Sequence, residues 1–204
     1  MKRIMFSLCV VALLAGCATT GPKLNQPSSA ETQAGWVLLF DGESLAGWTP
    51  RDQARWDVVD GVIVHRAGSG PGFLCTTKHY DNFELKVDFW VDAVANSGVF
   101  LRCPPTGPIA ATNAYEVNIF DAHEKWPTGS INYVARREGD VHSVGRWSSF
   151  HLTAQGNHLV VRFDGRVVVD THNDREKSGP IGLQQFNGQG MVKFRNLKLR
   201  PLGQ

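Results

Sequence analysis

The sequence predicts an all-β chain folded as a two-sheet antiparallel jelly-roll sandwich. Short apolar stretches of alternating character recur along it, separated by Gly, Pro, Asn and Asp. No segment keeps a 3.6-residue amphipathic period. Asp164-Gly165 stands between "NHLVVRF" and "RVVVDT", a two-residue turn that favours positive φ and closes a hairpin. About a dozen short strands in one domain require two sheets with facing apolar sides, and the outer face of one sheet is then free to be polar.

Taken in order, the chain opens with Lys2, Arg3 and "IMFSLCVVALLAG", an apolar run too short to span a bilayer and shaped like a signal-peptide core. Residues 1–16 end at "LAGC", the pattern of a bacterial lipoprotein signal in which Cys17 takes the lipid. Ala18 after it resembles sorting to the outer membrane. The sequence thus predicts a cell-envelope protein on the periplasmic face, attached by its acyl anchor alone. Residues 17–34 are polar and rich in Pro, Ser, Thr and Gly, which reads as a flexible tether. Residues 35–204 form the single domain. Loss of Lys2 and Arg3 with the signal reduces 21 basic residues to 19 against 19 acidic ones, so nothing supports nucleic-acid binding. Cys75 and Cys103 are then the cysteines available for pairing. They are either bridged, at a gain of roughly 3–4 kcal/mol from loop closure, or buried as free thiols.

Strand signals follow at 35–42, 55–66, 72–77, 82–91, 97–103, 114–121, 130–135, 147–155, 157–171, 179–186 and 191–200. The clearest is "FELKVDFW", where Phe83, Leu85, Val87 and Phe89 alternate with Glu84, Lys86, Asp88 and Trp90. Trp36, Trp48, Trp56 and Trp147 read as core or edge anchors.

The chemistry is expected on "NAYEVNIFDAHEKWPTG", residues 113–129. Tyr115, Val117 and Ile119 share one strand face, and Glu116 and Asn118 share the other. Strict alternation would send Asp121 to the apolar side, where an unpaired carboxylate is costly, so a β-bulge near Ile119–Phe120 is expected to return it to the Glu116 row. The spacing is similar to the bulged Glu-x-Asp-x-x-Glu strand of laminarinase-type glycosidases, with Asn118 and Asp121 as departures. A short Asp closes the gap to a partner Glu less well than a second Glu would, which disfavours double displacement. His123 and Trp126 lie on the following loop, Trp126 as a sugar-stacking ring. Asp121, His123 and Glu116 are candidate ligands for a divalent metal, without a dense ligand motif. Arg102, on the neighbouring stretch "NSGVFLRC", is placed either to polarise a substrate carbonyl or to pair with Glu116 or Asp121.

Eight segments in order carry a resemblance: "LFDGESLAGW" (39–48), "NSGVFLR" (96–102), "AYEVNIFD" (114–121), "TGSINY" (128–133), "GRWSSFHL" (145–152), "FDGRVVVD" (163–170), "GPIGLQ" (179–184) and "FRNLKL" (194–199). Together the chain resembles the 3-keto-disaccharide hydrolase domain family. The resemblance implies a concanavalin A-like jelly roll acting on small oxidised glycosides by lyase, hydratase or net hydrolase chemistry. The family's polar positions map to Asn96, Arg102, Glu116, Asp121, Tyr133 and Gln184. A ketone at C3 acidifies the C2 proton, so one base suffices to start the reaction. Glu116 or Asp121, acting directly or through His123, is the expected base and Arg102 the electrophile. Asn96, Asn118, Tyr133 and Gln184 are expected to bind hydroxyls. A noncatalytic carbohydrate-binding lipoprotein and a conventional laminarinase-like glucanase are the competing readings.

Overall fold

The computed structural model describes residues 23–203, so the signal region and Cys17 lie outside the described residues. A short helix α1 (Ser29–Gln33) precedes thirteen strands. These are β1 (Val37–Leu38), β2 (Trp48–Asp52), β3 (Trp56–Val59), β4 (Val62–His65), β5 (Gly72–Thr76), β6 (Phe83–Val91) and β7 (Ser97–Leu101). Then come β8 (Tyr115–Ile119), β9 (Ser148–Gln155), β10 (His158–Phe163), β11 (Arg166–His172), β12 (Gly182–Gln185) and β13 (Val192–Pro201). All strand pairs are antiparallel. One sheet runs β11-β10-β9-β6-β13-β4-β3, with β1 also on β13, and the other runs β2-β5-β12-β7-β8. The expected two-sheet jelly roll is the fold.

Alternation builds the core. Phe83, Leu85, Val87, Phe89 and Val91 of β6 are buried, while the residues between them are half-buried on the outer face. Leu74, Val99, Val117 and Leu183 meet them from the smaller sheet. Each such side chain removed from water stabilises by about 1.5–3 kcal/mol. Asp164 and Gly165 both take positive φ (46° and 83°) in the β10–β11 turn, as the hairpin reading requires.

The stretch expected to be a tether is partly fixed. From Asn25 to Gln33 the chain is strapped against the larger sheet. The Asn25 amide donates to the Gly61 carbonyl at 2.7 Å, and Ser28 and Glu31 form a reciprocal capping box on α1. Glu31 also accepts from Lys86 (2.9 Å) and Lys198 (2.8 Å). Burial raises its carboxyl, but the two lysines outweigh that and hold it at about 2. Residues 130–135, expected as a strand, make only isolated bridges through Ile131 to Val117 and Ala135.

Candidate functional site

The smaller sheet's outer face is the floor of a cavity of about 660 Å³, within the size range of small-molecule sites. Its register explains which side chains meet there. Phe73, Gln184, Gly98 and Asn118 lie across from one another on β5, β12, β7 and β8, and Cys75, Gly182, Phe100 and Glu116 form the next row. Glycine at position 98 opens the floor beside Glu116. A Cβ at Gly98 would come within 3.1 Å of the Glu116 Cγ and 3.2 Å of its Oε1 and of the Phe100 ring, so Glu116 leans into space a side chain would fill.

Strand β8 is an edge strand, and the segment after it covers that edge. Asn132 N–H donates to the Glu116 carbonyl (2.9 Å) and Asn118 N–H to the Ser130 carbonyl (2.9 Å). This pairing sets Asn132 beside Glu116 and raises Tyr133 onto the rim, where it is 63% exposed with φ at +61°. A left-handed tyrosine is sterically unfavourable and clusters at functional sites. Asn96, His123 and the 109–112 loop complete the walls.

Glu116 is 7% exposed. Burial pushes its carboxyl up to about 7, and the Asn132 amide only partly offsets this. It makes no ion pair among the described residues. Around it the buried amide oxygens of Asn118, Asn132 and Gln184 have no protein partner. Buried oxygens of this kind suit hydroxyl donors, since leaving one unpaired costs about 1–3 kcal/mol. The His123 Nδ1 accepts from the Trp126 N–H at 3.2 Å, which in the neutral ring puts the proton on Nε2.

Glu116, Asn118, His123, Asn96, Tyr133 and Gln184 are thus brought together as expected. Three expected residues are not. Strand β8 keeps unbroken register with β7 from Tyr115 to Ile119, and no bulge returns Asp121 to the Glu116 row. Asp121 instead accepts from the Ser143 N–H and hydroxyl, both at 2.8 Å. Burial raises its carboxyl, but hydrogen bonds from Thr128 and Ser143 outweigh that and hold it below the ordinary range. This pairing removes the cost that motivated the bulge.

Arg102 follows the last residue of β7, and its positive φ of 55° swings the side chain away from the floor. Its buried guanidinium donates to the carbonyls of Asp81 (3.0 and 2.6 Å), Gly156 (2.8 Å) and Glu176 (2.8 Å), so it clips three loops rather than polarising a substrate or pairing with Glu116. Trp126 offers its carbonyl to the Asn118 amide, and its indole stands 6.2 Å behind the Tyr133 ring, outside the cavity lining. Among the described residues no three His, Cys, Asp or Glu side chains converge as metal ligands, and Asp121 lines a smaller recess than the one that holds Glu116 and His123. Cys75 and Cys103 are free buried thiols either side of Gly182. Burial pushes both thiols up, Cys75 to about 11.

Sequence reasoning missed Asn132, Gly98, Phe73, Phe100, Phe186 and Asp52. The alternation of β5 and β7 placed Phe73 and Phe100 on the face opposite the core, which was the available signal. Asn132 lies within the 130–135 strand signal, but its pairing with the β8 edge at Glu116 is tertiary and was not announced by that pattern.

Fold and site define a two-sheet jelly roll with an amide-lined cavity on the outer face of its smaller sheet. Residues 35–200 match the 3-keto-alpha-glucoside-1,2-lyase-like domain, and the chain belongs to that family. A 77-residue stretch is 30% identical to a 3-keto-disaccharide hydrolase of Bacteroides thetaiotaomicron, covering 32% of this chain and 27% of that protein. The fold is similar to that of a proposed glycosyl hydrolase from Parabacteroides distasonis (TM-score 0.79, 23% identity, 89% of this chain and 100% of that one). It also resembles the carbohydrate-binding module CBM66 of Bacillus subtilis (TM-score 0.60, 20% identity, 76% and 95% covered).

Proposed function

We propose that this protein cleaves 3-keto-glycosides by elimination, with Glu116 as the base. The observation that carries the reading is a buried carboxyl held at about 7, without a cationic partner, on the floor of an amide-lined cavity. A base poised near neutrality is matched to abstraction of a carbon acid's proton. Glu116 takes the C2 proton of the 3-keto sugar, and the C2–H electron pair forms the C1–C2 double bond. The C1–O bond breaks, and its pair leaves on the aglycone oxygen, which takes a proton from water. The Gln184 and Asn132 amides bind the sugar's oxygens. Water adding across the new double bond would give net hydrolysis.

The geometry supports elimination over two-carboxylate hydrolysis. The other carboxylate lining the cavity is Asp52 of β2, four strand spacings from Glu116. That is roughly 19 Å between backbones, far beyond what retaining or inverting glycosidases use. The likeness to a carbohydrate-binding module supports a second reading, binding without turnover. We also propose attachment to the periplasmic face of the outer membrane through lipid on Cys17.

The test is a panel of glycosides and their 3-keto forms, followed for aglycone release with and without chelator. Release from the oxidised members alone is expected. Comparable cleavage of unoxidised glycans would sink the elimination reading, and bound ligand left intact after long incubation would favour the binding module.

A further inference from the structure

The cavity has two chemically different halves. Its floor spans β5 to β8, three strand spacings or roughly 14 Å, long enough for a sugar ring and a second ring beside it. The β8 half holds Glu116, Asn118, Asn132 and His123. The β5 half is largely apolar: Phe73 and Phe100 meet edge to face at 5.0 Å, Ile109 packs on them, the Cys75 and Cys103 sulfurs lie beneath, and Gln184 beside Phe73 and Asp52 at the far end are its polar groups. Arg51 fixes the loop carrying Ile109 by donating to the carbonyls of Pro104 (2.9 Å) and Gly107. At the rim on this side, Phe186 is 59% exposed. No lysine or arginine lines either half among the described residues.

We propose that the β5 half is an aglycone subsite for an uncharged, planar aromatic group, so that aryl glycosides are the preferred substrate class. The inference rests on the sugar occupying the Glu116 half, as the proposed elimination requires. A second sugar would lay most of its hydroxyls against Phe73, Phe100 and Ile109, which offer them no partners, with only Gln184 and Asp52 at the margins to receive any. A phenyl ring loses nothing there and gains an aromatic wall. An anionic aglycone would meet Asp52 and Glu116 with no cation to balance it.

Unoxidised glycosides lack the C3 ketone, so they separate binding from turnover. Calorimetric titration of the full chain with phenyl glucoside, methyl glucoside and a glucose disaccharide should show the phenyl compound binding about tenfold or more tighter than the methyl one, the scale of an added apolar group in a matching pocket. Ile109→Ser and Phe186→Ala should each erode that preference while methyl glucoside affinity holds. Equal affinities, or variants that weaken both ligands alike, would overturn the subsite. If the preference holds and no 3-keto-glycoside is cleaved, the elimination reading fails and the subsite stands. If cleavage occurs without the preference, the subsite alone falls.

Discussion

Replacing Glu116 by Gln separates the catalytic from the structural consequences of burying a carboxylate. In the folded protein the group titrates at about 7 instead of 4.5, because burial disfavours its charge. Between these values the native state binds more protons than the unfolded chain, so the wild type loses stability as pH rises through this window. At about 1.4 kcal/mol per pH unit the loss totals about 3 kcal/mol, complete only above pH 7. The amide introduced by Glu116→Gln does not titrate. The stability difference between variant and wild type should therefore swing by roughly 2–3 kcal/mol in the variant's favour between pH 5 and pH 8. Any constant cost of fitting the amide cancels in that comparison. Urea unfolding at the two pH values measures the swing. The wild-type rate on a 3-keto-glycoside should rise toward neutrality as Glu116 deprotonates, and the variant should lose roughly 10²-fold or more in turnover. A pH-independent stability gap together with an unchanged rate would refute the assignment of Glu116 as a buried base.

The other expectations follow from the residues that lie outside the cavity. Arg102→Met should destabilise by about 3 kcal/mol or more, since three loop carbonyls lose their buried donor, while the remaining folded protein binds ligand with unchanged affinity; urea unfolding and titration check this. Asp121→Ala should cost about 2–4 kcal/mol through loss of the Ser143 bonds and leave the rate within about twofold when assayed on folded protein; a loss of rate comparable to that of Glu116→Gln would return Asp121 to the mechanism. Cys17→Ser should remove the acyl mass and release the protein to the soluble periplasmic fraction, and membrane retention of an unacylated wild type would contradict the anchor.

Much of the architecture was legible because the core needs one apolar face per strand. The β6 alternation and the Asp164-Gly165 turn are unambiguous statements of that need. Strand β2 was hidden because "WTPRD" carries Pro50 and two charged residues, tolerable only on the sheet edge it occupies. Helix α1 did carry a capping signature in Ser28 and Glu31, but it has no buried face of its own. Its position comes from Lys86 and Lys198 on two strands remote in sequence, which local pattern cannot supply.

The site divides along the same line between local and tertiary information. Face alternation on β8 was enough to place Glu116 and Asn118 outward, and that part of the candidate site was readable. The errors at Asp121 and Arg102 share a cause: each lies beyond the last paired residue of its strand, where period-two reasoning stops applying. Asp121 was expected to need the polar face because a carboxylate among apolar residues is costly, yet Ser143, 22 residues on, supplies two donors. Arg102 was expected beside Glu116 because their strands are neighbours, and they are, but one left-handed residue turns its side chain to the end of the sandwich. What remains on the floor is a single carboxylate with amides around it and a glycine beneath it. In the proposed elimination, the substrate's own ketone supplies the acidity that a second carboxyl would otherwise have to provide.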